Sequence, residues 1–131
     1  MQVCAVLARF LAIESCGQCL PCKLGTTAMQ ERLERLVAGS GTAADLDAIR
    51  RSTTTVTDSN RCYLPVGAAL LVRSTLDAFA AAFEAHLGVA ADPQVAVGVP
   101  KIASIDDDTG AVRLDADYHR KRHDWSHVAP A

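Results

Sequence analysis

Three cysteines within seven residues constrain this chain more than any other feature of its sequence. Cys16, Cys19 and Cys22 recur at every third position, with Gly17 and Pro21 between them. Glycine and proline both oppose regular helix or strand, so the spacing predicts a loop that turns several thiols toward one point. A disulfide uses two sulfurs and leaves the third without a role, whereas a metal ion or an iron–sulfur cluster can use all three.

A site built from four thiolates needs one more cysteine, and Cys62 lies forty residues beyond Cys22. Pro65 follows three residues later and keeps the backbone from continuing as helix through the ligand. Because a remote ligand joins two parts of the chain through the site, the metal-free protein is expected to fold poorly. The fifth cysteine, Cys4, lies in an apolar run and is interpreted as a core thiol.

Three kinds of site compete for these cysteines. A Cys-x-x-Cys-x-x-Cys cluster plus one remote cysteine is a common ligand set for a [4Fe–4S] cluster. A structural zinc site also uses four thiolates, but usually as two Cys-x-x-Cys pairs, and the second pair is missing here. A redox dithiol, Cys16 with Cys19 or Cys19 with Cys22, lacks the strand–helix context of a thioredoxin motif. The iron–sulfur interpretation leads, and a zinc-stabilised interaction module is its alternative.

Composition excludes several other classes of protein. The chain has 131 residues, half of them hydrophobic but only 5% aromatic, which favours closely packed small helices over a sheet-rich core. A net charge of −2 gives no electrostatic basis for binding nucleic acid. No stretch approaches the roughly 20 apolar residues of a membrane span. Clustered reduced thiols favour a reducing compartment, so a cytoplasmic location is expected.

Helical periodicity predicts four helical regions before the C-terminal tail. Three of them cover about residues 2–13, 25–38 and 66–87. The other begins after Thr42, which is expected to cap it through the amide of Asp45. The last region has a predicted break near Ser74. Residues 52–60 are polar and threonine-rich, and are expected to form a loop that returns the chain to the cysteines.

The expected fold is therefore all-α, a small helical bundle around a cluster-binding loop. The helical domain is expected to cover residues 1–88, and residues 89–131 to form an extended tail or docking arm. Within this tail, residues 101–105 and 111–115 flank an Asp-Asp-Thr-Gly turn sequence and could close a short β-hairpin.

Outside the cysteines, the histidines are the next candidates for chemistry. The tail carries three at a spacing of four, namely His119, His123 and His127. On a helix they would share one face and could bind zinc, but the charged residues between them favour a solvated tail or docking arm. His86 is interpreted as a capping or surface residue. Glu14, just before the cysteine loop, is expected to bond to backbone amides.

The residues around the cysteines also identify a family resemblance. The chain resembles one known module in three features. They are the run Glu-Ser-Cys-Gly-Gln-Cys-Leu-Pro-Cys-Lys at residues 14–23, then Cys62, and then an alanine-rich helix with Phe79, Phe83 and His86. It is similar to the iron–sulfur-binding C-terminal domain of the flavin-carrying, NADH-oxidising subunit of respiratory complex I. The same module occurs in NAD-linked formate dehydrogenases and bidirectional hydrogenases. The resemblance covers about residues 9–87.

The resemblance implies a helical bundle in which Cys16, Cys19, Cys22 and Cys62 hold one [4Fe–4S] cluster. In the family this cluster takes electrons singly from reduced FMN and passes them to further clusters. The implied partners are an NADH- or formate-linked flavoprotein subunit and further iron–sulfur subunits.

The chain also departs from the family's pattern. In the family an FMN- and NADH-binding domain precedes the module. No glycine-rich phosphate loop follows a strand in this chain, so FMN and NAD are expected only on a partner subunit. Lys23 and Arg61 flank the cysteines, and we expect their charge to offset the anionic thiolates partly and to raise the cluster's reduction potential.

Overall fold

The computed structural model describes residues 1–92, 98–116 and 118. Within them, five α-helices precede one two-stranded antiparallel sheet, which confirms the expected helical fold with a C-terminal hairpin. The elements are α1 (Gln2–Glu14), α2 (Leu20–Val37), α3 (Ala43–Thr55), α4 (Leu64–Ala78), α5 (Ala80–Ala85), β1 (Ile102–Ile105) and β2 (Val112–Leu114). No helix in this part of the chain is long and apolar enough to cross a membrane.

The first four helices pack as a ring around one hydrophobic core. Helix α1 contacts α2 and α4, and α3 contacts the same two helices from the other side. The most deeply buried large side chains lie on α2, α3, α4 and α5, and on the residue that follows α3. They include Met29, Leu33, Leu36, Ile49, Val56, Val72, Leu76 and Phe83. This arrangement leaves the α1–α2 loop and the start of α4 together at one end of the bundle.

Helix α1 turns its small residues toward the core. Cys4, Ala5, Ala8 and Ala12 are each at most 5% exposed, whereas Val3 is 56% exposed. Small side chains let neighbouring helices approach closely, so this face suits a tight bundle. The expectation that Cys4 is a core thiol is confirmed, and burial raises its pKa, which keeps the thiol protonated.

Helix α2 begins at Leu20, five residues before the predicted start at residue 25. Pro21 lies in its first turn, where the missing N–H would have had no partner within the helix and the fixed φ suits helix. The prediction was wrong because it treated this proline only as a helix breaker.

Helix α3 runs to Thr55, into the region 52–60 that was predicted to be a loop. Its hydroxyl side chains are satisfied within the helix, since Thr53 Oγ1 donates to the carbonyl of Arg50 at 2.7 Å and Ser52 Oγ donates to that of Ala48 at 2.9 Å. Hydroxyl side chains favour loops when they form hydrogen bonds that compete with the helical backbone bonds. Here the hydroxyls bond to carbonyls of the same helix, so the threonine-rich segment can remain helical.

The break in the last helical region was also predicted at the wrong place. Ser74 lies inside α4 and donates to the carbonyl of Leu71 at 3.2 Å. The helix is interrupted at Phe79 instead, whose backbone departs from helical geometry at φ −123° and ψ 29°. Phe79 is 60% exposed, while Phe83 in the next helix is buried in the core.

The predicted cap of α3 is confirmed. The Thr42 hydroxyl accepts from the Asp45 backbone N–H at 3.3 Å, and the Thr42 backbone N–H donates to Asp45 Oδ2 at 2.9 Å. Arg35 of α2 lies 3.4 Å from the same carboxylate, which is largely buried. This capping box therefore also ties the start of α3 to the end of α2.

The hairpin pairs β1 with β2 in antiparallel register, with Ile102 opposite Leu114 and Ile105 opposite Val112. Asp106 closes the turn, because its Oδ1 accepts from the backbone N–H of Thr109 at 2.8 Å. All strand residues are exposed, so the sheet adds little to the core.

Helix α2 packs so closely on the end of α3 that a single methyl group added at Gly25 is expected to lower stability. A Cβ on Gly25 would lie 2.8 Å from Cγ2 and 2.9 Å from Cβ of Val56, which is fully buried. We expect Gly25→Ala to lower the free energy of unfolding by about 1–3 kcal/mol, measured by urea denaturation. Gly67→Ala is the control, because no atom lies within 4 Å of its added Cβ, and it should be neutral or stabilising. Equal effects of the two substitutions would contradict this packing.

The capping box predicts a pH-dependent contribution of Asp45 to stability. Hydrogen bonds from the Thr42 side chain and backbone, with Arg35 nearby, hold the pKa of Asp45 below its ordinary 3.8. Its stabilisation is thus present above the unfolded-state pKa and disappears as pH falls through the lower folded-state pKa. Asp45→Asn should cost about 1 kcal/mol near neutral pH and progressively less in acid. The matched control Asp47→Asn removes an exposed carboxylate and should change stability little at any pH.

Candidate metal centre

A recess at one end of the bundle brings the four predicted ligand cysteines together. It has about 250 Å³ of empty space, including its solvent-open side. Its lining residues are Ser15, Cys16, Gly17, Cys19, Cys22, Cys62, Leu64 and Pro65. Apart from the thiols and one hydroxyl, the side chains that line it are apolar, so sulfur is the main donor that it offers.

The α1–α2 loop and the first turn of α2 supply three of the thiols. Cys16 lies in the loop, Cys19 is the N-cap residue of α2, and Cys22 is already within the helix. The sequence had predicted all three on one loop, so the placement of Cys22 is a correction. Gly17 adopts φ +80°, a conformation that side chains disfavour, and this turn separates Cys16 from Cys19.

The fourth thiol reaches the recess from the other side of the bundle. After α3 the chain turns at Ser59, which adopts φ 54°, and Cys62 precedes α4 by two residues. Pro65 lies in the first turn of α4 and is buried against the recess. As the sequence suggested, this proline stands just beyond the cysteine and keeps Cys62 outside the regular helix.

Two helix N-termini converge on the same recess. Helix α2 starts next to Cys19, and α4 starts next to Cys62. The backbone N–H groups at a helix start carry partial positive charge, which favours an anionic group beside them. Lys23 and Arg61 each directly neighbour a recess cysteine in the sequence, and their side chains are exposed.

The hydroxyl of Ser15 contacts a recess thiol. Ser15 is 1% exposed, and its Oγ lies 3.4 Å from Cys22 Sγ. Burial raises the pKa of Cys22, the Ser15 hydroxyl opposes this rise, and the three other recess thiols add to it. A bound cationic centre would offset the repulsion that the neighbouring sulfurs exert on an ionised Cys22 and would favour its thiolate form.

Two kinds of metal group can use a set of four thiols. Among the described residues, no three Cys, His, Asp or Glu side chains are arranged to hold a single metal ion. Tetrahedral zinc needs four sulfurs at about 2.3 Å from one point. An iron–sulfur cluster instead takes each thiolate on a different iron, so its ligands stand further apart. Four thiols are a donor set that either a zinc ion or an iron–sulfur cluster can use.

The other polar candidates lie outside this recess. His86 Nδ1 lies 2.8 Å from the carbonyl of Ala82 in its own helix, as expected of a surface residue at a helix end. Glu14 Oε1 accepts hydrogen bonds from Lys101 Nζ at 3.0 Å and Tyr118 OH at 2.9 Å. The expected bond of Glu14 to backbone amides stays a prediction. The three tail histidines lie outside the described residues.

A helical bundle that presents four cysteines at one end belongs to the class of cysteine-ligated metal or cluster modules. The model of the family described as the NADH-ubiquinone oxidoreductase-F iron-sulfur binding region matches residues 2–86. The chain belongs to this family, which confirms the resemblance seen in the sequence.

Similar curated proteins are components of several oxidoreductases. The chain is 37% identical over 78 residues to the NADP-reducing hydrogenase subunit HndC of Solidesulfovibrio fructosivorans, covering 60% of this chain and 16% of that protein. It is 38% identical over 74 residues to the NADP(+)-dependent formate dehydrogenase subunit beta of Moorella thermoacetica, covering 56% and 10%. It is 36% identical over 78 residues to the NADH-quinone oxidoreductase F-subunit of Streptomyces coelicolor, covering 60% and 17%. The chain thus matches less than a fifth of the length of these relatives.

Proposed function

We propose that this chain carries one [4Fe–4S] cluster on Cys16, Cys19, Cys22 and Cys62 and relays electrons within an NADH- or formate-linked oxidoreductase. The observation that carries the proposal is that these four thiols line one recess, although Cys62 is at least forty residues from each of the others. Membership of the iron–sulfur binding family supports it. When bound, the cluster supplies one-electron transfer, and the protein supplies position, burial and tuning.

Each part of the site has a distinct role in this proposal. The α1–α2 loop and the first turn of α2 hold three ligands, and Cys62 connects the cluster to the second half of the bundle. The starts of α2 and α4 place partial positive charge beside an anionic group. Ser15 Oγ lies 3.4 Å from Cys22 Sγ. With a ligating, proton-free sulfur the Ser15 hydroxyl would be the donor, which would stabilise the more negative, reduced state.

The electrons are proposed to arrive from a flavin on a partner subunit. The described residues form a helical bundle and one hairpin, without the parallel sheet and glycine-rich loop of a dinucleotide-binding fold. The relatives bear the names of subunits of hydrogenase, formate dehydrogenase and NADH-quinone oxidoreductase. We propose that an NADH- or formate-linked flavoprotein carries FMN and NAD, that further iron–sulfur subunits accept the electrons, and that this takes place in the cytoplasm.

Single cysteine substitutions test the ligand set. We expect Cys62→Ser to lose most of the visible absorption of the anaerobically purified protein, because one iron would lose its thiolate. Cys4→Ala is the matched control, since this thiol is buried in the core away from the recess, and it should keep the cluster. Full absorption in Cys62→Ser, or loss of absorption in a folded Cys4→Ala, would contradict the assignment.

Ser15→Ala tests the tuning of the cluster. Hydrogen bonds to the ligating sulfurs raise cluster potentials, so removing this one should lower the midpoint potential by roughly 20–60 mV. The measurement is an optical redox titration of the purified protein. Ser74→Ala, which removes an exposed hydroxyl of α4, should leave the potential unchanged. A higher potential in Ser15→Ala would show that the hydroxyl does not donate to the cluster.

A further inference from the structure

A segment beyond the family match lies against helix α1 beside the cysteine loop. We call residues 98–116 together with Tyr118 the C-terminal strap. Its residues Val99 and Tyr118 close a narrow recess against the outward face of α1, which contributes Val6, Arg9, Phe10 and Ile13. The rings of Phe10 and Tyr118 meet edge to face with centroids 6.2 Å apart. The strap is therefore packed on the helix that leads into the candidate metal centre.

Two strap side chains converge on one carboxylate oxygen. Lys101 Nζ donates to Glu14 Oε1 at 3.0 Å, and Tyr118 OH donates to the same oxygen at 2.9 Å. Lys101 Nζ also lies 5.0 Å from the centroid of the Tyr118 ring, close enough for a cation–π contact. These three residues form a small network that connects positions 87 and 104 residues apart in the chain.

The hairpin explains how the two donors come together. Lys101 precedes β1 and Asp115 follows β2, and the Asp115 N–H donates to the Lys101 carbonyl at 2.8 Å. A turn after Asp115 then returns the chain, with the Tyr118 N–H 3.4 Å from the Asp115 carbonyl. The closed base of the hairpin thus holds both side chains over Glu14.

Glu14 connects this network to the cysteines. It is the last residue of α1, and the next residue is the buried Ser15, whose Oγ lies 3.4 Å from Cys22 Sγ. Cys16 follows at once. We propose that the C-terminal strap fixes the start of the cysteine loop, with Lys101 and Tyr118 as positioning residues for the four-cysteine site. This inference rests on the proposed function, because it concerns how that site holds its cluster.

Tyr118 is expected to contribute more than Lys101 to fixing the start of the cysteine loop. The side chains of Lys101 and Glu14 are 42% and 28% exposed, so solvent screens their ion pair. The tyrosine hydroxyl donates to a charged acceptor, which makes a stronger hydrogen bond than a neutral pair. Burial and the neighbouring Glu14 carboxylate raise the pKa of Tyr118, so its hydroxyl keeps its proton and remains a donor near neutral pH.

Tyr118→Phe in the full chain tests the proposal, because it removes the hydroxyl and keeps the ring. After reconstitution with iron and sulfide, we expect this variant to bind the cluster at wild-type stoichiometry. An added iron chelator should bleach it about three- to tenfold faster than the wild type. Its midpoint potential should rise, because a loosened loop exposes the cluster to solvent without any change in charge. Lys101→Met should accelerate bleaching to a smaller extent.

Ser104→Ala is the matched control. Ser104 lies in the same hairpin and accepts from Arg113 Nε at 3.2 Å, on the strap but not on Glu14. It should keep the wild-type bleaching rate and potential. Coupling between two sites is reciprocal. If the strap stabilises the cysteine loop, then binding of the cluster to that loop must also stabilise the strap. The amides of β1 and β2 should therefore exchange with deuterium more slowly in the cluster-loaded protein than in the cluster-free protein.

The outcomes separate this inference from the proposed function. A wild-type chain that binds zinc, or no metal, removes the proposed function itself. If the cluster forms and Tyr118→Phe matches the wild type in bleaching rate and potential, the strap has no positioning role. Equal acceleration in Ser104→Ala and Tyr118→Phe also overturns the inference, because it would reflect general loosening of the hairpin.

Discussion

Four thiols from two distant segments of the chain converge on one recess, and the packing of the bundle must bring those segments together. Burial and the neighbouring thiols raise the pKa of Cys22 and so disfavour a separate thiolate charge on it. The starts of α2 and α4 supply partial positive charge beside the recess, and Lys23 and Arg61 each neighbour a recess cysteine in the sequence. A bound iron–sulfur cluster would complete this balance, and it would join the first half of the bundle to the second through Cys62.

The bundle is built so that its end can hold such a group. Close approach of α1 through its alanines, and of α2 to α3 through Gly25, leaves the two cysteine-bearing segments at the same end. The capping box at Thr42 and Asp45 fixes the opposite turn and ties α3 to Arg35 of α2. Rigid helices at the base of a site position its ligands more accurately than loops alone, so the packing of the core serves the recess directly.

Local rules predicted much of this structure, and what they missed includes both helix boundaries and a long-range contact. The spacing of the cysteines indicated one site, and the Thr42 cap follows from the preference of a short hydroxyl side chain for a helix start. The start of α2 was predicted too late, because proline disrupts the interior of a helix but is favoured in its first turn, where Pro21 lies. The contact of Glu14 with Lys101 and Tyr118 could not be predicted, because no periodicity or motif relates residues so far apart in the chain.

The central claim is that the recess holds one cluster rather than one metal ion. The most direct measurement is the iron, zinc and acid-labile sulfide content of the chain after anaerobic purification, expressed per mole of protein. If the recess holds one [4Fe–4S] cluster, each chain should contain four irons and four sulfides, with negligible zinc. One zinc and no sulfide would contradict the presence of a cluster, and would leave the four cysteines as a structural site in an interaction module.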